Sequence, residues 1–182
     1  MKNLPLLFLF LSITCANAQA QTDTIHFPSG EVYYGEVKGG IIQGTGTMIW
    51  KDGGKYEGQW KNNHPDGKGT MTWANGEIYA GAWKAGMQQG KGTMNWQNGS
   101  TYTGAWKNNK QDGKGTMLWK TGDKYTGKWK EGKQSGKGTF TWPSGSVYTG
   151  GWLEGKMDGK GKMKYANGWA QKGIWKDGVF VH

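Results

Sequence analysis

The chain lacks arginine altogether, so all 23 of its basic side chains are lysines. Arginine supplies the planar guanidinium group that makes bidentate contacts with guanine bases and phosphates. Without that group, nucleic acid is a poor fit as a partner. The formal net charge of +10 over 182 residues still suits an anionic partner of another kind.

Long apolar segments are also missing, apart from one short run near the N-terminus. Lys2 precedes the apolar run Leu4–Ile13, and small residues at alternate positions follow it up to Ala18 and Ala20. The run of about ten residues is too short to span a membrane, which takes roughly 20 helical residues. We therefore expect residues 1–20 to be a signal peptide cleaved after Ala18 or Ala20. The mature chain would then be exported to the periplasm, the outer surface or the extracellular space.

Cysteine occurs once, as Cys15 within this leader. The residue would be removed with the signal peptide, which leaves the mature chain without a disulfide or a thiolate site. A lipidated Cys15 is the alternative, although the preceding Ser12-Ile13-Thr14 resembles a lipobox poorly. Residues 21–29 form a short lead-in to the remainder of the chain.

Leucine, isoleucine and alanine are scarce, whereas glycine occurs 34 times and tryptophan 12 times. This composition excludes a helical bundle and a doubly wound sheet, because glycine opposes helix formation and the usual core residues are few. The many aromatic rings argue against simple disorder, in which such residues are rare.

A repeat of 23 residues explains the composition. Seven copies fill residues 30–182, the last of them partial, and each begins with a glycine that we call position 1: Gly30, Gly53, Gly76, Gly99, Gly122, Gly145 and Gly168. Positions 6, 15 and 17 are also glycine, and position 19 is almost always Met or Phe. Such a fixed period is the signature of a repeat architecture.

Aromatic residues occupy three positions of the repeat. Position 4 is Tyr in all copies but the last, position 8 is Trp in all copies but the first, and position 21 is Trp in all complete copies but the last. We expect these residues to form a structural aromatic ladder: Tyr56, Trp60, Trp73, Tyr79, Trp83, Trp96, Tyr102, Trp106, Trp119, Tyr125, Trp129, Trp142, Tyr148 and Trp152.

The sequence of each copy predicts a β-hairpin. Asn-Gly pairs such as Asn75-Gly76 lie between alternating apolar residues, and both residues of such a pair tolerate positive φ. Tyr, Gly and Trp then alternate with polar residues and share one face of a strand. Position 11 is always Gly or Asn, which predicts a tight connection between hairpins there. We predict an all-β protein of about 13 antiparallel strands, with no helices apart from the signal peptide.

The run Tyr79-Ala80-Gly81-Ala82-Trp83-Lys84-Ala85-Gly86, continued by Gly90-Lys91-Gly92-Thr93, resembles the MORN (membrane occupation and recognition nexus) repeat, YxGxWxxGxxxGxG. The resemblance covers Gly30 to His182. The chain resembles a bacterial-type secreted member of the family that consists of repeats only. It implies an elongated, twisted single antiparallel sheet of tandem β-hairpins. Members of the family are linked to phospholipid binding, to scaffolding and dimerisation, and to flanking catalytic domains. The residues outside the repeats are a leader and a lead-in, so we do not carry over the activities of such domains. Val37 and Gln171 depart from the pattern in the first and last copies, as capping repeats usually do.

The aromatic ladder allows two interpretations. Eighteen rings on one face carry at least ~2,700 Å² of surface, which is far more than a soluble protein usually leaves open. The first interpretation is that the rings are the core of the sheet. The second is that a trough of rings stays partly open and binds a sugar or an apolar strand of a partner.

Lysine recurs at positions 9 and 16, in rows with a spacing of about 10 Å along the sheet. The rows could protect loops and edges, or they could bind an anionic membrane surface or an envelope glycan. The candidate anion- or lipid-facing residues are Lys61, Lys84, Lys107, Lys130, Lys68, Lys91, Lys114, Lys137 and Lys160.

No pattern of a catalytic or metal site is evident, and no cofactor is expected. Asp66, Asp112 and Asp158 recur in alternate copies, which places them about 20 Å apart and too far for paired-carboxylate chemistry. Gly67-Lys68-Gly69-Thr70 is not a phosphate loop, because it precedes a strand rather than a helix. We predict a non-catalytic, exported protein-binding or scaffold module with an unidentified protein partner or a second copy of itself as a homodimer. Peripheral binding to anionic lipid or envelope polymers through the lysine rows and exposed aromatics is the alternative.

Overall fold

A computed structural model describes residues 21–182, and the leader predicted at residues 1–20 lies outside the described residues. The described chain forms one antiparallel sheet in which all 15 strands follow one another in chain order. No helix able to cross a membrane is found between residues 21 and 182. The prediction of an all-β sheet of tandem hairpins is confirmed.

The strands alternate between long and short members within each repeat. Their bounds are β1 Gln21–His26, β2 Val32–Lys38, β3 Ile41–Ile49, β4 Lys55–Lys61, β5 His64–Thr72, β6 Ile78–Lys84, β7 Met87–Asn95, β8 Thr101–Lys107, β9 Lys110–Leu118, β10 Lys124–Lys130, β11 Lys133–Thr141, β12 Val147–Leu153, β13 Lys156–Lys164, β14 Ala170–Lys176 and β15 Val179–Phe180.

The sheet has 15 strands rather than about 13, because both ends of the repeat array are extended by extra strands. β1 lies in the lead-in and pairs with β2 along its whole length, from Gln21 opposite Val37 to His26 opposite Val32. β15 pairs with the end of β14. Each added strand covers polar backbone groups that would otherwise be unpaired at the edge of the sheet.

Tight two-residue turns join the strands at positions 10 and 11 of the repeat. In the turn between β4 and β5, Asn62 and Asn63 have φ angles of 49° and 64°, and Lys61 pairs directly with His64. Positive φ at both central residues is the requirement of a type I′ turn, whose twist matches that of the flanking strands. This requirement explains why position 11 is always Gly or Asn.

The Asn-Gly connections differ from the expected geometry, in which both residues could take positive φ. In the loop between β5 and β6, only Gly76 has positive φ, at 84°. The Trp73 N–H donates to the Glu77 carbonyl at 2.9 Å, and the Gly76 N–H donates to the Trp73 carbonyl at 2.8 Å. The Asn75 side chain meanwhile accepts a hydrogen bond from the Glu77 N–H at 3.1 Å. A wider loop therefore replaces the two-residue turn, with asparagine acting through its side chain.

A bulge in each long strand accounts for the glycine at position 15. Gly58 pairs with Gly69 and Trp60 pairs with Pro65, so three residues of β5 stand opposite the single residue Gln59. Gly67 lies in the middle of these three with a φ angle of 109°. Non-glycine residues rarely adopt this conformation, so the bulge depends on glycine.

The two faces of the sheet have different compositions. We call the side bearing positions 4, 8, 19 and 21 the front face, and the opposite side, bearing positions 3, 5, 7, 16, 18 and 20, the back face. The buried core of the described chain consists of front-face residues and is dominated by the Tyr of position 4 and the Trp of position 8. The back face has no such core and is covered mainly by threonine and lysine.

Candidate binding surfaces

The inner front-face rings form a continuous chain of edge-to-face contacts from Tyr33 to Trp175. Each position-8 Trp between them lies against the Tyr of its own copy and the Tyr of the preceding copy. Trp106, for example, contacts Tyr102 with a centroid distance of 5.1 Å and Tyr79 with one of 5.3 Å. The interplanar angles of 90° and 85° are those that aromatic quadrupoles prefer. These Tyr side chains are fully buried, and the Trp side chains are at most 8% exposed.

The polar atoms of the ladder are bonded to backbone. Each position-4 Tyr hydroxyl donates to the carbonyl three residues further on, as Tyr102 does to Ala105 at 3.0 Å. Each position-8 indole N–H up to Trp152 donates to a glycine carbonyl of the preceding copy, as Trp106 does to Gly92 at 3.1 Å. Among the described residues, Trp175 Nε1 is the buried side-chain polar atom left without a partner. Burial raises the pKa of Tyr56, Tyr79 and Tyr125 to about 12.

A row of paired glycines lies beneath these rings. Positions 6 and 17 pair across every strand boundary of the repeats, as Gly81 does with Gly69 and with Gly92. A Cβ added at Gly92 would collide with the hydroxyl and ring of Tyr79. The glycine row is therefore the space in which the tyrosine rings lie.

The outer aromatic column, at position 21, is only partly buried. Trp50, Trp73, Trp96, Trp119 and Trp142 pack against the core without being enclosed by it. In β3 to β8 these rings border an apolar trough of about 500 Å³. Its lining residues are Trp50, Tyr56, Pro65, Met71, Trp73, Trp83, Gly86, Gln88, Met94, Trp106 and Asn109. The rings of positions 4 and 8 thus form the core, whereas those of position 21 stay partly open.

The other end of the front face is filled by a larger side chain. Phe140 replaces the methionine of position 19 and lies 5.5 Å from Trp119, 4.6 Å from Trp142 and 6.0 Å from Trp152, measured between ring centroids. Met71 and Met94 occupy the equivalent positions in the trough. The trough therefore lies in the first half of the array.

The two lysine rows have different surroundings. In the position-9 row, Lys130 pairs with Asp112 at 3.4 Å and Lys176 pairs with Asp158 at 2.9 Å, while Lys61, Lys84 and Lys107 are exposed beside the tight turns. In the position-16 row, Lys68, Lys91, Lys114, Lys137 and Lys160 are all exposed on the back face. None of these five makes an ion pair within the described part of the chain.

The recurring aspartates bind the next copy of the repeat. Asp66 accepts a hydrogen bond from the Ala85 N–H at 3.1 Å, and Asp112 accepts one from the Glu131 N–H at 3.4 Å. The ammonium of Lys176 hydrogen-bonds Asp158 and lowers the pKa of its carboxyl. These carboxylates hold the tight turns in place. Across residues 21–182 the structure contains no group of three or more His, Cys, Asp or Glu side chains that could hold a metal ion.

One group of back-face residues had no role predicted from the sequence. Threonines at positions 5 and 18 meet across strand boundaries, with hydroxyl distances of 3.0 Å for Thr93 and Thr103 and 3.1 Å for Thr116 and Thr126. Their recurrence at fixed positions was visible in the sequence. Their pairing depends on strand register, which the sequence pattern alone did not specify.

The family profile of the MORN repeat matches six consecutive segments of the chain: residues 33–55, 56–78, 79–101, 102–124, 125–147 and 148–170. The chain therefore belongs to the MORN repeat family. The profile places the start of each copy at the tyrosine of position 4, and the partial copy that begins at Gly168 extends beyond the last matched segment.

Two solved structures are similar to this chain at low sequence identity. The SAS-4 (dCPAP) TCP domain of Drosophila melanogaster, in complex with a proline-rich motif of Ana2 (dSTIL), is 15% identical with a TM-score of 0.51, and the match covers 97% of each chain. The TCP10 domain of Danio rerio CPAP is 18% identical with a TM-score of 0.40, over 85% of this chain and 77% of that one. A comparison with curated protein sequences found no match.

Proposed function

We propose that this protein is a non-catalytic binding module that holds a proline-rich segment of a partner protein in the front-face trough. The observation that carries the proposal is the column of partly exposed tryptophans at position 21. Partly exposed rings beside a concave apolar surface are typical of sites that bind peptides or small ligands.

The spacing of the column fits a polyproline II helix. Equivalent residues of successive copies are two strands apart, which is roughly 9.5 Å. A polyproline II helix rises about 3.1 Å per residue with three residues per turn, so one turn advances about 9.3 Å. A proline-rich segment lying across the strands would therefore place one turn beside each tryptophan of the column.

The chemistry of the trough supports the same ligand. Its walls are indole rings and the apolar side chains of Met71 and Met94, and Gln88 and Asn109 add amide groups at one side. Aromatic grooves bind proline-rich segments at low entropic cost, because the ligand is already extended before it binds. The SAS-4 domain that shares the fold is itself in complex with a proline-rich motif.

A decaproline peptide tests the proposal by isothermal titration calorimetry against a glycine-serine peptide of equal length. We expect decaproline to bind and the control peptide not to bind. The double variant W50A/W73A should weaken binding about ten-fold or more, because it removes two aromatic anchors of the trough.

Two further variants make the result specific. Trp142→Ala changes the same column outside the trough and should alter the affinity by less than about two-fold. Trp73→Tyr should retain binding, since the last copy carries Tyr165 in this column. Equal binding of both peptides, or equal weakening by W142A and W50A/W73A, would overturn the proposal.

A further inference from the structure

The back face of β6 to β14 carries an excess of positive charge. In these strands, the six back-face positions contain no Asp or Glu. They carry nine lysines: Lys91, Lys114, Lys124, Lys128, Lys137, Lys160, Lys162, Lys164 and Lys172. All nine are exposed, and none forms an ion pair within residues 21–182.

The first strands of the same face also carry acidic side chains. Glu36 in β2 and Glu57 in β4 occupy columns that become neutral or basic further along the chain, and Glu57 pairs with Lys55 at 2.8 Å. Asp158 lines this face at β13, beside Lys160, and is itself paired with Lys176. The excess of positive charge is therefore local to β6–β14 and is more than a consequence of the overall lysine content.

These lysines border a continuous groove. Shallow depressions of about 380, 410 and 720 Å³ follow one another along the face. Neighbouring depressions share a lysine, Lys114 between the first two and Lys137 between the second and third. The backbone of the glycine row is common to all three depressions, with lysine and threonine side chains beside it.

Hydroxyl groups line the opposite side of the groove. Thr93 pairs with Thr103, Thr116 with Thr126 and Thr139 with Thr149, at hydroxyl distances of 3.0 to 3.1 Å. Each of these three strand boundaries thus presents one threonine pair and one position-16 lysine along the groove. Threonine hydroxyls both donate and accept hydrogen bonds, so they suit a ligand that is rich in hydroxyl groups.

We infer that this groove, which we call the lysine groove, binds a linear anionic polysaccharide. The lysine ammonium groups would contact its sulfate or carboxylate groups, and the threonine pairs would contact its hydroxyls. The position-16 lysines recur about every 9.5 Å, close to the length of one disaccharide in an extended glycan chain. The site is on the opposite face from the aromatic trough and does not depend on the function proposed for that trough.

The shape of the sheet favours a linear polymer over a membrane surface. Adjacent strands of a sheet rotate by roughly 20–25°, so nine strands rotate by about 160–200° in total. A planar bilayer could not contact the lysines of both ends of such a groove together, whereas a flexible chain can follow it. Single-stranded nucleic acid is disfavoured because the back face of β6–β14 has no aromatic side chain on which bases could stack.

The test measures binding of the protein to fluorescent heparin by anisotropy, with neutral dextran as the control polymer. We expect heparin to bind with an affinity that falls as salt rises, and dextran not to bind. The variant K91T/K114T/K137T should bind heparin at least about ten-fold more weakly, because it removes three contacts of the groove. Threonine suits position 16, since Thr45 occupies that position in the first copy.

A variant of equal charge separates the groove from net charge. K61T/K84T/K107T removes three lysines of the position-9 row beside the turns, and its affinity should fall by less than about three-fold. Equal weakening by the two triple variants would overturn the inference. Stronger binding to phosphatidylserine vesicles or to single-stranded DNA than to heparin, at the same salt concentration, would overturn it in favour of a membrane or a nucleic acid.

Discussion

The front and back faces of this sheet are built from the same strands, yet neighbouring residues have opposite environments. Tyr102 is fully buried and hydrogen-bonded to backbone, whereas the next residue, Thr103, is exposed on the back face. Alternation along a strand produces this separation in every copy. The front face is where the fold is stabilised, and the back face is free to vary without loss of the core.

Alkaline pH is expected to cause the largest loss of stability, and to act through the buried tyrosines of the front face. Burial raises the pKa of Tyr33, Tyr56, Tyr79 and Tyr125 from 10.0 to about 12 in the folded protein. Above the unfolded pKa the unfolded chain releases these protons while the folded chain retains them, so the free energy of unfolding falls as pH rises. We expect that free energy to be independent of tyrosine ionisation below about pH 10 and to fall steeply between about pH 10 and 12.

Denaturant unfolding followed by tryptophan fluorescence at a series of pH values measures this loss. Tyrosinate absorbance should rise together with unfolding, because the buried hydroxyls ionise once the ladder opens. Ionisation of these tyrosines near pH 10 in the folded protein would contradict the burial that underlies the comparison.

A smaller but local effect is expected from adding one methyl group beneath the ladder. Gly92→Ala places a Cβ against the buried ring of Tyr79, which has no free space into which it could move. We expect the free energy of unfolding to fall by about 3 kcal/mol, at the upper end of the usual cost of overpacking.

Thr93→Ala is the matched control, because it alters the adjacent residue on the back face. It should change the free energy of unfolding by less than about 0.5 kcal/mol in the same denaturant experiment. Equal costs for Gly92→Ala and Thr93→Ala would show that the two faces contribute alike to stability.

Removing lysines from the lysine groove is expected to have the smallest effect on the free energy of unfolding. K91T/K114T/K137T removes exposed charges that have no ion-pair partner among the described residues. We expect the free energy of unfolding to change by less than about 0.5 kcal/mol, with any change stabilising because repulsion between lysines is relieved. A loss of several kcal/mol in thermal or denaturant unfolding would show that these lysines are structural.

Much of the fold was predictable from the sequence because every repeat supplies the same local signals. The period of 23 residues, the alternation of Tyr, Gly and Trp, and the Gly or Asn at position 11 together specify tandem hairpins. The added strands β1 and β15 were not predicted, because Gln21–His26 precede the repeats and Val179–Phe180 belong to the partial last copy. They are strands because an open sheet edge offers unpaired backbone groups to any adjacent extended segment.

The candidate binding surfaces were predictable only as sets of residue types. Positions 16 and 9 are both lysine, yet one row borders a groove and the other lies beside turns and partly pairs with aspartate. The difference arises from where the rows lie, because position 9 ends each short strand beside a tight turn and position 16 lies within each long strand next to its bulge. The composition of a strand does not show where such a bulge places the neighbouring side chains.

The sequence by itself determined that the protein is a MORN repeat array, that its strands are antiparallel, and that one face is aromatic. Those properties depend on local propensity and on alternation, which are carried by residues close together in the chain. The tertiary structure decided which of two tryptophan columns is buried. Trp106 is buried because it lies between the tyrosines of two copies, whereas Trp73 lies just past the end of β5 and is only partly buried. That distinction depends on contacts between copies, and identical residue types cannot reveal it.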